Sequence, residues 1–202
     1  MFMIKPNTTY GTPKEFYEFL NAMVGGFAVD AAANGSNTHL PTYYGPDSPL
    51  VGGTDALIID QWASPAFCNP PYHSHKEWTR WLECFRRQGD LGVTVVTILP
   101  AAVGTRWWFD GVIKAQCDIV FLTGRLPFIR PDGEPTKPNH DSAVVIYGPG
   151  TISRYQWIDW ATRIKIEKVK YGTNSEVAGQ NVALDHPVLG AGLHIGGVSD
   201  DG

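Results

Sequence analysis

Helical and strand-like patterns of apolar residues alternate along this chain. Three segments repeat apolar residues with the period of a helix that buries one face, and five short apolar runs are typical of strands. The helical segments span residues 12–24, 78–88 and 105–115, and the strand-like runs span residues 27–30, 65–68, 93–99, 118–122 and 143–147. This alternation predicts an α/β fold whose mostly parallel sheet is flanked by helices.

Residues 12–24 carry the signals of a helix start and stop. Thr12, Pro13 and Glu15 follow the order of a capping box, with threonine as N-cap and proline at the first helical position. Apolar residues then recur on one face, and Gly25-Gly26 ends the pattern. The sequence therefore predicts an N-terminal helix capped by the Thr12 hydroxyl.

The C-terminal part is predicted to hold an edge strand followed by a flexible tail. The segment from residue 154 suggests a short helix or turn, and strict alternation over residues 163–170 predicts an edge strand with a charged outer face. From residue 172 the chain is rich in glycine and asparagine and poor in large apolar residues. We therefore expect one domain over residues 1–171 and a flexible tail over residues 172–202.

Two long connections interrupt the predicted elements. Residues 38–64 and 124–140 are rich in proline and glycine and show no sustained periodicity. Connections of this length without regular structure are usually functional. Both are candidates for a substrate-recognition segment or a lid.

Charge and cysteine usage narrow the functional classes. The formal net charge of the 202-residue chain is −4, which lacks the basic excess common in nucleic-acid-binding proteins. Any contact with DNA must come from a local patch and should be weak and salt-sensitive. Three cysteines, an odd number without close spacing, argue against a disulfide framework. With no signal peptide and no apolar run of the ~18 residues that a membrane span needs, we expect a cytoplasmic protein that does not contact a membrane.

The segment Asn69-Pro70-Pro71-Tyr72 follows a predicted strand and carries the main chemical signal. Ligands of open α/β sheets bind outside the carboxyl ends of the strands. There Asn69 presents a side-chain carbonyl, Pro70 presents a backbone carbonyl, and Tyr72 presents a flat ring. An exocyclic amino group needs two acceptors for its two N–H bonds, and a planar base needs a stacking surface worth roughly 1–3 kcal/mol. The motif therefore suits holding an amino group on a flat heterocycle.

Such a grip favours methyl transfer to nitrogen by positioning rather than by a general base. Two acceptors hold both hydrogens to one side, so the nitrogen lone pair is directed at an electrophile. The proton becomes acidic only after the nitrogen is alkylated. From these four residues alone the target can be an adenine in DNA, an amino group of an RNA base, or a protein glutamine amide.

Further blocks in the same order carry a family resemblance. They are Thr12-Pro13-Lys14-Glu15-Phe16, Val29-Asp30-Ala31-Ala32-Ala33, Tyr43-Tyr44, Asp60-Gln61-Trp62, Cys68-Asn69-Pro70-Pro71-Tyr72, Leu99-Pro100, Thr105-Arg106-Trp107-Trp108, Gly124-Arg125-Leu126-Pro127-Phe128 and Ser142-Ala143-Val144-Val145. Together they resemble the phage-type Dam family of DNA N6-adenine methyltransferases over residues 12–147. The glycine-rich cofactor loop common in methyltransferases is absent, and the small residues after Asp30 stand in its place.

The resemblance implies a fold, a reaction and a set of site residues. The implied fold is a Rossmann-like methyltransferase that binds S-adenosylmethionine and flips adenine out of double-stranded DNA. The implied catalytic residues are Asn69, Pro70, Pro71 and Tyr72, and the implied cofactor-binding residues are Thr12, Pro13, Asp30, Ala31, Ala32, Asp55 and Asn69. Asp30, Asp55 and Asp60 are alternative holders of the cofactor ribose. The family also implies a phage or restriction–modification setting in a bacterial or phage-infected cell.

Several other interpretations stay open beside this one. The fold can also serve as a catalytically silent DNA-binding module, although Asn69 and Tyr72 are both intact. Arg106 and Arg125 either contact DNA phosphates or pair with local acids. Cys68, His73 and His75 lie close in sequence but lack the spacing of a zinc site, so we expect no metal. The remaining aromatic set is expected in the core, and it comprises Trp78, Trp81, Trp107 and Trp108.

Overall fold

The computed structural model describes residues 10–71, 74–137, 140–151, 153–160 and 164–165. Its elements in these residues are α1 (Lys14–Met23), β1 (Val29–Asp30), β2 (Ala66–Cys68), α2 (His75–Asp90), β3 (Val95–Pro100), α3 (Arg106–Trp108), β4 (Asp118–Thr123), β5 (Ser142–Tyr147), β6 (Tyr155–Asp159) and β7 (Ile164–Lys165). A 3-10 turn (Ala56–Ile58) precedes β2, and a π-helical turn (Phe109–Ile113) continues α3. The three predicted helices and five predicted strands are all present.

The strands pair into one sheet with the order β1-β2-β3-β5-β4-β6-β7 among the described residues. Parallel pairs join β1 to β2, β2 to β3 and β4 to β6, whereas β5 is antiparallel to both β3 and β4. Because β5 reverses direction between them, β3 and β4 run the same way. Five of these seven strands therefore share one direction, and the predicted mostly parallel α/β fold is confirmed.

Helices cover the two faces of the sheet because the strand residues alternate between them. On one face, Phe16 and Leu20 of α1 pack with a layer that includes Val96 and Ile98 of β3. On the other face, α2 and the α3 turn pack with the alternate residues of the same strand, Val95 and Leu99. The large side chains of that second layer include Trp81, Phe85, Trp108 and Tyr147. We call these the α1 face and the α2–α3 face.

Strand β6 corrects one expectation from the sequence. The segment from residue 154 was expected to form a short helix or turn, but Tyr155–Asp159 extends the sheet in parallel beside β4. The Arg154 backbone N–H donates to Asp118 Oδ1, and its guanidinium donates to Asp118 Oδ2. These bonds join the start of β6 to the start of β4, so tertiary contacts decide the local structure. The expected edge strand is seen as β7 at Ile164–Lys165, and the rest of residues 163–170 and the expected tail lie outside the described residues.

The three cysteines, Cys68, Cys84 and Cys117, are all buried and unpaired. Burial raises the pKa of each thiol, that of Cys117 to about 12. Each therefore packs as a small apolar side chain rather than as a redox partner. No described helix has the length and apolar composition to cross a bilayer.

Candidate active site

A large cavity opens at the edge of the sheet where β2 and β3 end and β5 begins. Asn69, Pro70 and Pro71, directly after β2, contribute to its lining. Its volume is about 1170 Å³, beyond the roughly 300–1,000 Å³ of most small-molecule pockets. The first three residues of the predicted motif thus lie at the carboxyl ends of parallel strands, in a cavity with room for more than one heterocycle.

The Asn69 side chain connects this cavity to the N-terminal segment. Its Nδ2 donates a hydrogen bond to Thr12 Oγ1 at 3.3 Å. Thr12 is almost fully buried, and its backbone oxygen is 2.7 Å from His39 Nε2. Because the Asn69 amide is planar, a bond at its nitrogen restricts the direction of its carbonyl oxygen. Asn69 is therefore a partly buried, oriented polar group between Thr12 and the cavity.

The position of Thr12 corrects the predicted capping box. Helix α1 begins at Lys14, Pro13 occupies the N-cap position, and no side chain caps it. The first turn is closed by the Phe16 and Tyr17 N–H groups, which donate to the Pro13 carbonyl. The Thr12 hydroxyl instead faces Asn69. The sequence pattern of a cap therefore marks a residue of the candidate site.

Asp30 ends β1 in the same neighbourhood and is 3% exposed. Burial raises the pKa of its carboxyl to about 7, although a hydrogen bond from the Ala32 N–H at 3.3 Å opposes the shift. Burial and then the charge of Asp30 raise the pKa of Tyr17 to about 12. The Tyr17 hydroxyl is buried and has no hydrogen-bond partner among the described residues. Two adjacent polar groups thus lie out of water without full compensation, as expected of a site that awaits a polar ligand.

The small residues after Asp30 let other backbone segments approach closely. Ala31 is fully buried, and its N–H donates to the Phe67 carbonyl at 2.7 Å. The Ala33 N–H donates to the Tyr44 carbonyl, so the segment from residue 42 to residue 45 runs alongside the end of β1. Ala32 is only partly buried. Residues 30–33 are therefore a closely packed turn in place of a glycine-rich loop.

Gly45 makes this close approach possible and supports a first prediction. A Cβ at Gly45 would lie 1.8 Å from the Ala33 carbonyl oxygen. We expect Gly45→Ala to lower the free energy of unfolding by about 1–3 kcal/mol, the usual effect of overpacking. Urea unfolding compares it with Gly104→Ala, whose added methyl meets open space. Equal unfolding midpoints in the two variants would contradict the prediction.

The other two acids proposed for the cofactor lie elsewhere. Asp55 is the N-cap of the 3-10 turn, and its carboxylate accepts the Leu57 N–H at 2.9 Å. The Asp60 carbonyl accepts from the side chain of Gln88, near the end of α2. Helix α2 ends where β3 begins, so both acids lie toward the opposite edge of the sheet. Of the three candidates, only Asp30 ends a strand that pairs with β2, the strand that Asn69 follows.

Arg106 and Arg125 are both paired with acids and do not line the cavity. Arg106 is exposed and contacts Asp110 at 2.5 Å, and Arg125 contacts Asp141 at 3.0 Å. Asp141 does line the cavity, so Arg125 lies just behind its wall. The basic residues that line the cavity are Arg130 and Lys137, which sequence reasoning missed. Both fall in the connection at residues 124–140, flagged only by its length.

Within the connection at residues 124–140, residues 128–136 form a hairpin, and this hairpin is one wall of the cavity. Phe128 and Thr136 pair through backbone hydrogen bonds, and Arg130 pairs with Glu134. Gly11 makes two reciprocal backbone bonds of 2.8 Å to Ile129, which join the hairpin to the N-terminal segment. In contrast, residues 38–64 contribute nothing to the cavity lining. Of the two connections proposed for substrate recognition, only residues 124–140 reach the cavity.

The opposite wall corrects the expectation for the tryptophans. Trp81 and Trp108 are buried in the core as expected, at 7% and 2% exposure. Trp78 and Trp107, expected there too, are only partly buried and line the cavity. Their rings are 5.0 Å apart between centroids. Helical spacing placed Trp78, Trp81 and Trp108 on apolar faces, but it could not show which of the four tryptophans reach the cavity.

Some residues of the predicted site are not among the residues that the structure describes. Tyr72 and His73 are outside the described residues, as is the side chain of His75. Within the part of the chain that is described, no three His, Cys, Asp or Glu side chains cluster as metal ligands would. Cys68 lies inside β2 with its side chain in the core.

The chain also matches a known protein family. The family model described as "DNA N-6-adenine-methyltransferase (Dam)" matches residues 5–174. No curated protein matches the chain. The matched range contains Thr12, Asp30, residues 69–72 and both cavity walls, so the whole candidate site lies within the match.

Proposed function

Because this chain belongs to the Dam family of DNA N-6-adenine-methyltransferases, we propose that Asn69 and Pro70 hold the amino group of an adenine extruded from DNA. The family reaction is methyl transfer from S-adenosylmethionine to adenine N6 in DNA, and the chain is an enzyme of this adenine-specific class. Extrusion and the residue roles are the proposal. One observation carries it: Asn69 touches Thr12 on one side and the cavity on the other.

The grip on the amino group follows from the donors and acceptors at the end of β2. The Thr12 hydroxyl engages the Asn69 nitrogen, so the Asn69 carbonyl serves as an acceptor. Pro70 has no N–H and contributes its carbonyl as the second acceptor. Two N–H bonds held this way leave the nitrogen lone pair directed out of the base plane. Orientation and local dipoles then lower the barrier, and the proton leaves to solvent after the nitrogen is methylated.

The residues around Asp30 fit a cofactor with hydroxyl groups. Among the described residues, the buried carboxyl has no ion-pair partner and the neighbouring Tyr17 hydroxyl has no hydrogen bond. We assign Asp30 to the ribose hydroxyls, and Thr12, Pro13, Ala31 and Ala32 to the surrounding surface. S-adenosylmethionine supplies an electrophilic methyl group on its sulfonium. Asn69, between Thr12 and the cavity, then separates the donor side from the acceptor side.

The proposed stacking role of Tyr72 rests on the motif and gives a second prediction. We expect Tyr72→Ala to lose more activity than Tyr72→Phe, because the ring face contributes roughly 1–3 kcal/mol of stacking and the hydroxyl does not. Transfer of labelled methyl groups to unmethylated plasmid DNA measures both variants. Equal losses would contradict a stacking role.

The deciding experiment locates methylated adenines in DNA from cells that express the protein. We expect N6-methyladenine at one short sequence, and none in cells that express Asn69→Ala. The same protein is incubated with labelled cofactor and either total RNA or a glutamine-containing protein. Label in those substrates with unmodified DNA would favour the alternative targets, and cofactor binding without any transfer would favour a silent DNA-binding module.

A further inference from the structure

The two walls of the cavity belong to opposite faces of the sheet. Trp78 and Trp107 pack against the layer of the α2–α3 face, whereas Phe128 packs against the layer of the α1 face. All three line the cavity. A flat molecule held by Asn69 at the edge of the sheet therefore has an aromatic surface on each side. We call the surface made by Trp78 and Trp107 the tryptophan wall.

Both tryptophans are held by regular structure rather than by loops. Trp78 is in the first turn of α2, and its N–H donates to the carbonyl of the N-cap residue Ser74 at 3.0 Å. Trp107 is in α3, where Thr105 caps the turn through the Trp108 N–H. The Trp107 ring also contacts the fully buried ring of Trp108, at 5.7 Å between centroids. The wall is thus a fixed surface, and a ligand can stack on it without ordering a mobile side chain.

The arginines Arg130 and Arg125 near the cavity are paired with acids, which limits what they can contribute through phosphate contacts. Arg130 pairs with Asp132 at 3.0 Å, and Arg125 pairs with Asp141 at the same distance. With a formal net charge of −4 for the whole chain, attraction for a polyanion is weak. Affinity for a nucleic acid must come in good part from contacts that do not depend on charge. Partly exposed indole faces in a concave site offer such contacts.

We propose that the tryptophan wall stacks on the ring of the extruded adenine, with Trp107 as a binding residue and Trp78 as its neighbour in the same surface. This inference rests on the proposed extrusion of adenine. Asn69 holds the N6 edge, so the rest of the ring projects into the cavity between the two walls. Stacking on the wall then requires a base, so a phosphate chain alone does not fill the site. It also favours a purine, which offers a larger face than a pyrimidine.

The test compares two single-stranded oligonucleotides, an oligodeoxyadenylate and an abasic strand of equal length. A single strand needs no target sequence and costs no unpairing energy. We expect the wild-type protein to bind the adenine strand at least about fivefold more tightly than the abasic strand, because each base–aromatic stack contributes roughly 1–3 kcal/mol, a factor of about 5 to 150. Trp107→Ala should show a preference at least about fivefold smaller than wild type, because one base–aromatic stack is lost while the proposed stack on Tyr72 remains. Trp107→Phe should stay within about threefold of wild type. Trp157→Ala is the matched control, because Trp157 is 48% exposed on β6 and does not line the cavity.

Three further measurements separate stacking from other causes. In Trp107→Ala, the dissociation constant should rise by the same factor at every salt concentration, so its salt slope stays that of wild type. Lys137→Gln, which removes the positive charge of the other basic residue of the lining, should reduce the slope. Cofactor binding by calorimetry and thermal unfolding of Trp107→Phe should match wild type. If Trp107→Ala keeps the full wild-type preference for adenine, or Trp157→Ala loses as much of it as Trp107→Ala does, the inference is overturned.

Failure of this inference can be told from failure of the proposed function. Wild-type protein that methylates DNA while Trp107→Ala keeps the full wild-type preference for the adenine strand overturns the tryptophan wall alone. Wild-type protein that does not methylate adenine in DNA overturns the proposed function, whatever the tryptophan variants do.

Discussion

Asn69→Ala is expected to reduce methyl transfer to DNA by at least about a hundredfold, the size of effect seen when one oriented polar group is removed from a transition state. The variant loses one of the two acceptors for the N6 hydrogens and also the bond to Thr12 Oγ1. Its fold should persist, because Asn69 lies after β2 and outside the buried core. Initial rates with labelled cofactor and unmethylated plasmid DNA measure the loss.

Asn69→Asp is the matched variant for this prediction. A carboxylate keeps an acceptor for the amino group, so we expect more residual activity than in Asn69→Ala. Calorimetric titration with S-adenosylmethionine should show binding in both variants, which separates a catalytic loss from a cofactor loss. Full activity in Asn69→Ala would mean that the amino group is held elsewhere, and the proposed grip would have to be abandoned.

Asp30→Asn is expected to weaken cofactor binding and to remove its pH dependence. The carboxyl has a pKa of about 7 in the ligand-free protein, and ribose hydroxyls that donate to it favour its ionised form. Wild-type affinity should therefore rise about tenfold between about pH 6 and pH 8 and level off above, with proton release on binding at the lower pH. Calorimetry in two buffers with different ionisation enthalpies measures both. A flat wild-type profile would rule out Asp30 as the titrating ligand.

The raised pKa of Asp30 also makes the free energy of unfolding depend on pH, and this free energy falls where the cofactor affinity rises. The Asp30 pKa is higher in the folded protein than its ordinary value of 3.8, so the folded state favours the protonated form. Its contribution to the free energy of unfolding is fully present below about pH 4 and is lost as the pH rises through about 7. The difference corresponds to a free energy on the order of 4 kcal/mol. Without cofactor, wild type should lose stability over this range relative to Asp30→Asn.

Much of the fold was accessible from the sequence because its strands are short apolar runs between clear breakers. β2, β3, β4 and β5 appear within about two residues of their predicted bounds. Their order was not predicted, since nothing in the local sequence shows that β5 inserts between β3 and β4. β6 was missed for a related reason. Its Tyr155 and Trp157 are about half exposed, so its pattern lacks a buried run, and its pairing depends on Arg154.

The sequence predicted the motif of the candidate site but not the residues that form the walls of its cavity. Asn69 and Pro70 were identified because their chemistry is local to four residues. The tryptophan wall depends on where two helices end relative to the sheet, which residue spacing does not show. The helix-cap role predicted for the Thr12 hydroxyl was wrong for a similar reason. A threonine hydroxyl can bond to a helix N-terminus or to a distant amide, and only the folded chain shows that it bonds to Asn69.

The buried cysteines provide a chemical measure of whether each of these variants is folded. Alkylating reagents react with thiolates, and in the folded protein all three thiols are out of solvent with raised pKa values. Labelling at neutral pH therefore proceeds only through molecules that have opened. Its rate reports the population of opened protein without a denaturant. A cysteine introduced on the surface would react much faster than the three native thiols. A dye can therefore be attached to the hairpin without first removing them.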